Sequence, residues 1–207
     1  MPFARPDLRY GFSRRKTFSL PCDATTNVVR RRIDLVFRCK MEEFLQPFLC
    51  VMSFDIAYAH LRKLGLAERV HTFTESTATV ELAAEQLGCE PARIAKSMAF
   101  LTDEGPILVL AAGDVKVDNR KFRETFHCKA KMIPGDQVEA LVGHAPGGVC
   151  PFGAKADVRV YTDVSLDRFD IVYPACGDAQ SGVRLTPDEL FRASGALSRI
   201  DVTKPRA

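Results

Sequence analysis

The sequence predicts a single α+β domain whose one mixed β-sheet is curled, barrel-like and flanked by helices. Segments of strand length and segments with helical spacing alternate irregularly over residues 52–204, and no βαβ unit repeats. The chain has 207 residues, of which 46% are hydrophobic and 27% charged, which is enough to bury one core of ordinary size. With 13 Gly and 12 Pro, it is typical of a globular protein and excludes a disordered or collagen-like one.

Helical spacing and capping residues define the helices. Apolar residues at intervals of three and four predict a first helix over 56–64. The hydroxyls of residues 76–79 can cap a helix over 80–87, which Gly88 ends. Asp118 can cap a helix through Phe126. Two more helices are predicted over 135–142 and from Thr186 onward.

Short apolar runs define the strands. Residues 94–101 and 106–112 surround an Asp-Glu-Gly turn and predict two adjacent strands. The segment 143–153 contains four glycines and two prolines in eleven residues, which indicates a stiff loop. Further strands are predicted over 70–73, 129–133, 158–161, 171–173, 182–185 and 199–202.

The positive charge is concentrated near the start of the chain. Residues 1–51 carry 10 Lys and Arg against 5 Asp and Glu, whereas residues 52–207 carry 19 against 21. We expect 1–51 to be a basic extension that is poorly ordered or dispensable, with Met52 as the functional start. An organelle-targeting segment is the alternative, which Asp7 and Asp23 disfavour. The domain is nearly neutral, so a nucleic acid would need a local basic patch.

The cysteines and the apolar segments exclude several classes of protein. Seven cysteines form an odd number without a C-x-x-C pair, which favours a reducing, cytoplasmic compartment and argues against a zinc site. The apolar stretch 33–51 is interrupted by five charged residues and Pro47, so we expect no membrane association. We expect no metal and no cofactor.

Lys96 stands on the most apolar face of the strand predicted over 94–101. Residues two apart share one face of a strand, so Lys96 projects with Ile94, Met98 and Phe100. Burial of an ammonium is costly unless it is paired or hydrated. Lys96 is therefore either a site residue or an edge-strand residue whose ammonium extends to water.

The glycine loop, residues 143–153, is a second candidate. Gly147 and Gly148 would let a ligand approach main-chain N–H groups, which can stabilise an oxyanion. A rigid turn between two elements explains the same residues. A thiol nucleophile at Cys150 with His144 as its base is a further hypothesis, but a buried, inert cysteine is the commoner case and nothing nearby would lower its pKa.

A cluster of cations, which we call the basic patch, forms the third candidate. Within sixteen residues the acids are Asp118 and Glu124. On a helix from Asp118, Phe122 would face the core and leave the cations exposed to phosphates, or merely to solvent. The patch comprises Lys116, Arg120, Lys121, Arg123, Lys129 and Lys131.

These three constellations, in this order, resemble the YbaK/ProX/EbsC family of aminoacyl-tRNA deacylases, whose domain also accompanies prolyl-tRNA synthetases. The resemblance covers Met52 to about Val202 and implies a YbaK-like fold. It rests on Thr79–Ala84, Arg93–Ser97, Ala112–Asp114, Asp118–Lys121, Gly147–Gly153, Ala175–Asp178 and Leu185–Pro187.

The resemblance implies a trans-editing hydrolase that deacylates mischarged aminoacyl-tRNA. Lys96, Gly147 and Gly148 match the family's catalytic positions: the loop backbone polarises the ester carbonyl, the lysine holds the tRNA 3′ end, and a water or a group of the substrate attacks. The implied partners are the acceptor end of aminoacyl-tRNA and a synthetase. Residues implied to bind substrate or tRNA are Ser97, Asp114, Lys116, Asn119, Arg120, Lys121, Lys131, Phe152, Gly177 and Asp178.

One segment departs from the family pattern. The cysteinyl-tRNA(Pro) deacylases carry a Ser-Gly-Gly-x-Arg-Gly type segment where this chain has residues 175–180, without the Ser and the Arg. Cysteine specificity is therefore not carried over, and the edited amino acid stays open. A module that binds tRNA or an aminoacyl group without hydrolysis is the alternative function.

Overall fold

A computed structural model describes residues 53–206, and the predictions for residues 1–51 and for Met52 as the start lie outside this range. Five α-helices and nine strands occur within the described residues. The helices are α1 (53–63), α2 (Val80–Leu87), α3 (Asn119–Phe126), α4 (Gly135–Val142) and α5 (Pro187–Ala193). The strands are β1 (Val70–Thr72), β2 (Ile94–Thr102), β3 (Gly105–Ala112), β4 (Val115–Val117), β5 (Arg159–Asp163), β6 (Tyr173–Pro174), β7 (Ser181–Val183), β8 (Arg199–Ile200) and β9 (Thr203–Pro205).

The predicted caps hold the helix ends. The Thr79 hydroxyl accepts a hydrogen bond from the Leu82 N–H at the start of α2, and Gly88 ends α2 in the left-handed region with φ +60°. The Asp118 carboxylate accepts from the first N–H groups of α3. Thr186 begins α5 with a reciprocal capping box to Glu189.

The main sheet has five strands in the order β6-β2-β3-β5-β8. β2 and β3 form an antiparallel hairpin from Ala95↔Ala112 to Thr102↔Gly105, and the other neighbours are parallel. The prediction of a mixed α+β domain is confirmed. Two antiparallel pairs, β1–β7 and β4–β9, lie beside it, and the bridges Val172↔Leu185 and Ala175↔Gly182 connect the β7 segment to the β6 edge.

Three features of the structure differ from the prediction. The strand expected over 129–133 is reduced to an isolated bridge between Phe100 and Met132, and the following Pro134 has no N–H to extend it. β4 and β9, of three residues each, were not predicted, nor was the 3₁₀ turn Val164–Arg168.

The core surrounds the β2–β3 hairpin on both faces. Leu108 and Leu110 of β3 pack into the largest cluster, whereas Ile107 and Val109 face a second cluster that contains Phe100 and Phe122. A third, small cluster joins Ile94 to α2. Ile94 and Phe100 lie on the same face of β2 as Lys96. The lysine therefore stands between the third cluster, which includes α2, and the second cluster, which includes Phe122 of α3. Among the described residues, no helix is both long enough and apolar enough to cross a membrane.

Candidate active site

A cavity of about 180 Å³ lies between α2, the first half of β2, the β6 edge and the glycine loop. Its walls are mainly apolar, with several hydroxyl-bearing side chains. Among the described residues that line it, Lys96 carries the one charge. Its lining includes Val80, Ala83, Ile94, Lys96, Gly147 and Val149.

The Lys96 ammonium is held at this cavity by main-chain acceptors. Nζ donates to the carbonyl oxygen of Gly113 (3.2 Å) and to that of Val115, on either side of the turn between β3 and β4. An ammonium has three N–H donors, so two acceptors leave one donor for a ligand. Lys96 is half-buried, and its strand β2 lies between β6 and β3, so the edge-strand alternative does not describe it.

Burial controls the ionisation of Lys96. Removal from water lowers the pKa of Lys96 below its usual value, and the positive charge of Arg206 lowers it further. The carboxylates of Asp114, Asp163 and Glu81 oppose this shift. The site thus holds a partly desolvated cation, for which an anionic or polarised oxygen is a favourable partner.

The two adjacent glycines of the loop serve different purposes. Gly147 lines the cavity with φ +89°, a conformation that favours glycine. Within residues 53–206 its N–H has no main-chain acceptor. Gly148 packs against the segment 177–178, where an added Cβ would lie 2.5 Å from the Gly177 carbonyl oxygen. The Gly148 N–H donates to the Ala145 carbonyl (3.1 Å) and therefore stabilises the loop itself.

Gly177 and Asp178 pack against Gly148 and so support the glycine loop. Gly177 has φ +90° and packs against the Ser53 carbonyl of α1. The Asp178 carboxylate accepts from the Gln180 N–H (3.0 Å) and from the Ser181 hydroxyl (2.5 Å). Both residues thus shape the turn on which Gly148 rests.

Three other residues predicted to bind substrate have different surroundings. Asp114 forms a bidentate ion pair with Arg168 (2.6 and 3.0 Å), and this contact lowers the pKa of its carboxyl. Ser97 lines the cavity, but its hydroxyl is buried without a partner among the described residues. Phe152 is 0% exposed and packs near His60 in the core, so its side chain does not line the cavity, and its contact with substrate or tRNA stays a prediction.

The basic patch is only partly free to bind phosphate. Lys116, Asn119 and Lys131 are exposed. Arg120 pairs with Glu124 one turn along α3 (2.9 Å), and Lys121 donates to Asp201 (2.7 Å) and to the Thr203 carbonyl. Exposed pairs of this kind contribute little to stability and exchange readily for a phosphate.

Sequence reasoning missed the cations of the last described strand. Lys204 is the register partner of Lys116 across β4–β9 and pairs with Asp118 (3.1 Å). Arg206 comes directly after β9, and its positive charge lowers the pKa of Lys96. The basic character of residues 204–206 was the available signal, but a strand of three residues has no detectable period.

Cys150 and His144 touch each other in the core and do not line the cavity. Cys150 Sγ is 3.6 Å from His144 Nε2, and His144 Nδ1 is 2.7 Å from Ser53 Oγ. Both side chains are fully buried. Burial raises the pKa of the Cys150 thiol far above neutrality and lowers the pKa of His144. A neutral, enclosed thiol cannot reach a substrate, so this pair does not fit a nucleophile and base.

Comparison with known proteins identifies the family of this chain. Residues 74–193 match the family described as the aminoacyl-tRNA editing domain. YwhH of Bacillus subtilis (strain 168), which is named as uncharacterized, is 46% identical over 154 residues, which cover 74% of this chain and 98% of YwhH. EbsC of Enterococcus faecalis (strain ATCC 700802 / V583), provisionally named a Cys-tRNA(Pro)/Cys-tRNA(Cys) deacylase, is 24% identical over 131 residues, which cover 62% of this chain and 80% of EbsC.

A solved structure has the same fold. It is a crystal structure assigned provisionally as a trans-editing enzyme for prolyl-tRNA synthetase, with 29% identity and a TM-score of 0.67. The alignment covers 73% of this chain and 97% of that one. The resemblance found in the sequence is confirmed by both kinds of comparison. The chain belongs to the family of aminoacyl-tRNA editing domains.

Proposed function

We propose that this domain removes the amino acid from mischarged tRNA in trans, by hydrolysis of the aminoacyl ester at the cavity that Lys96 borders. The observation that carries the proposal is the position of the Lys96 ammonium. It is fixed by two carbonyls at a small cavity whose lining also includes the main chain of Gly147. Membership of the editing-domain family supports the class of reaction.

The cavity can hold an aminoacyl side chain while the ester lies at its mouth. Its volume of about 180 Å³ and its mainly apolar lining suit a small, uncharged side chain. A positively charged aminoacyl side chain would be repelled by the Lys96 ammonium. Each methylene that a pocket accepts or rejects changes selectivity by about 1–3 kcal/mol, so size is a usable criterion for a second sieve.

The chemistry is ester hydrolysis without a protein nucleophile. The Gly147 N–H donates to the ester carbonyl oxygen as negative charge develops there, and the third N–H of Lys96 steadies the 3′-terminal nucleotide. The oxygen of water, or a nucleophilic group of the substrate itself, forms the new bond to the carbonyl carbon. The bond to the ribose oxygen breaks, and that oxygen takes up the proton that the attacking group loses, which restores the terminal hydroxyl of the tRNA. Attack by water leaves the free amino acid, whereas attack by a group of the amino acid side chain leaves a cyclic ester, which a water then opens to the free amino acid.

The basic patch would bind the acceptor stem through its phosphates. Lys116, Lys121 and Lys131 contact the backbone without reading the base sequence, which suits an enzyme that must recognise the acylated end. Asn119 and Arg120, at the start of α3, lie beside Lys121 and extend this surface.

A module that binds aminoacyl-tRNA without hydrolysis is the second candidate. It is favoured by the composition of the cavity, because none of the described lining residues is an Asp, Glu or His that could act as a general base. The two functions share the same contacts and differ in turnover.

The test is a panel of mischarged tRNAs incubated with the purified full chain. We expect release of one or a few amino acids, at a rate that Lys96→Ala lowers at least about 100-fold, because the 3′-terminal nucleotide is then no longer held with its ester against the Gly147 N–H. Lys63→Ala, which removes an exposed lysine of α1, serves as the matched control and keeps the rate. Tight binding with no release anywhere in the panel would establish the binding module, and an unchanged rate in Lys96→Ala would contradict the proposed site.

A further inference from the structure

Arg206, which follows β9, is hydrogen-bonded to the turn that holds the cavity lysine. The Arg206 N–H donates to the carbonyl oxygen of Asp114 (2.9 Å). The residues on either side of Asp114, Gly113 and Val115, supply the two carbonyls that hold the Lys96 ammonium. The main chain of Arg206 is thus hydrogen-bonded to the same three-residue turn as Lys96.

The Arg206 side chain extends from this turn toward α2. Its Nη1 is 3.9 Å from Glu81 Oε1, in the first turn of the helix whose Val80 and Ala83 line the cavity. The Arg206 side chain is 60% exposed and that of Glu81 69%. A long ion pair at this exposure contributes little, so the guanidinium can turn to a ligand at small cost.

Two cations are therefore held on one short turn beside the cavity, and the one carboxylate paired with Arg206 among the described residues is the exposed Glu81, at 3.9 Å. The positive charge of Arg206 lowers the pKa of Lys96. The nearby Asp114 carboxylate is already engaged by both arms of Arg168. An anion placed between Lys96 and Arg206 would remove the repulsion between them, and a guanidinium binds a phosphate through two parallel hydrogen bonds.

We propose that Arg206 binds the phosphate of the 3′-terminal nucleotide of the tRNA, a contact that rests on the function proposed above. The aminoacyl ester and this phosphate are attached to the same ribose. An ester at Gly147 therefore brings the phosphate to the mouth of the cavity, close to Lys96 and to the turn that Arg206 is bonded to. Lys204 and Lys116, paired across β9 and β4, continue the positive surface away from the cavity toward the preceding phosphates.

The test compares two substrates that differ in this phosphate. The full chain, Arg206→Ala and Arg206→Lys are assayed on the mischarged tRNA and on the corresponding aminoacyl ester of adenosine, which has no phosphate. For Arg206→Ala we expect KM for the tRNA to rise about tenfold with kcat unchanged, and no change for the adenosine ester. The slope of log KM against log salt should fall in magnitude by about one. Arg206→Lys should recover part of the loss, because a point charge replaces the planar fork.

Arg184→Ala is the matched control, since it removes an exposed arginine near β7 and should leave both substrates unaffected. An unchanged KM and salt slope in Arg206→Ala would overturn the inference. An equal loss on the tRNA and the adenosine ester would also overturn it, because the residue would then act through the fold. If the wild-type protein binds tRNA but hydrolyses neither substrate, the proposed function fails, and a weaker Kd with a lower salt slope in Arg206→Ala still supports the phosphate contact.

Discussion

Removal of the His144 side chain should destabilise the domain strongly. His144 is 0% exposed and bonds the Ser53 hydroxyl at 2.7 Å, and Ser53 is itself 5% exposed. In His144→Ala the buried hydroxyl loses its partner, at a cost of about 1–3 kcal/mol. The vacated ring leaves a cavity that costs about 2 kcal/mol more. We therefore expect the free energy of unfolding to fall by about 3–5 kcal/mol, measured by urea denaturation.

A double-mutant cycle with Ser53→Ala isolates the hydrogen bond between the two side chains. Each single variant leaves one buried polar group without a partner, whereas the double variant removes both groups. We expect a coupling energy of about 1–2 kcal/mol. If the two changes were additive within about 0.5 kcal/mol, the hydrogen bond would contribute nothing and the argument would be refuted.

The same residue should give the stability a dependence on pH near neutrality. Burial lowers the pKa of folded His144 below its unfolded value of about 6.5. Its contribution to stability is then fully present above about pH 6.5 and is lost as the pH falls from there toward the folded pKa. The free energy of unfolding should therefore decrease from pH 7 to pH 5 in the wild type and less steeply in His144→Gln. The carboxylates with lowered pKa values, such as Asp114, act in a more acidic range. Equal slopes in the two proteins would contradict a buried neutral imidazole.

Two further predictions concern the thiol and the basic patch. Cys150→Ala should keep turnover within about threefold, because the thiol is enclosed, protonated and outside the cavity; loss of turnover at unchanged stability would restore the thiol hypothesis. Arg120→Ala combined with Lys121→Ala should weaken tRNA binding about tenfold at low salt and progressively less as salt rises, measured by filter binding, because two phosphate contacts are lost. Unchanged binding at low salt would exclude these residues from the interface.

The features that local sequence determines were predicted correctly. The N-caps Thr79, Asp118 and Thr186 act within one helical turn, so their chemistry can be read directly from the residues. The β2–β3 hairpin is set by two apolar runs and a short turn. The alternation of β2 was enough to place Lys96 between apolar neighbours.

The features that were missed depend on contacts between distant segments. β4 and β9 pair residues more than eighty positions apart and are too short to show a period. Because β9 shows no period, the sequence does not place Arg206 beside the turn that holds Lys96. Position 148 requires a glycine because the segment 177–178 packs against it. Phe152 is buried because it packs against His60 of α1. Neither contact produces a recognisable pattern in the local sequence.

The turn that accepts the Lys96 ammonium is wedged against the rest of the domain. An added Cβ at Gly113 would lie 2.0 Å from the Pro91 carbonyl oxygen and 2.6 Å from Val80 Cγ1, so the turn has no room to shift. The Lys96 ammonium is consequently pre-organised: its position is set when the domain folds and does not change when a ligand binds. Ligand binding therefore costs little conformational entropy at this turn, and we expect the cavity to select ligands by how well they fit. A bulkier residue at 113 would displace both acceptors at once and disable the lysine while Lys96 itself is unchanged.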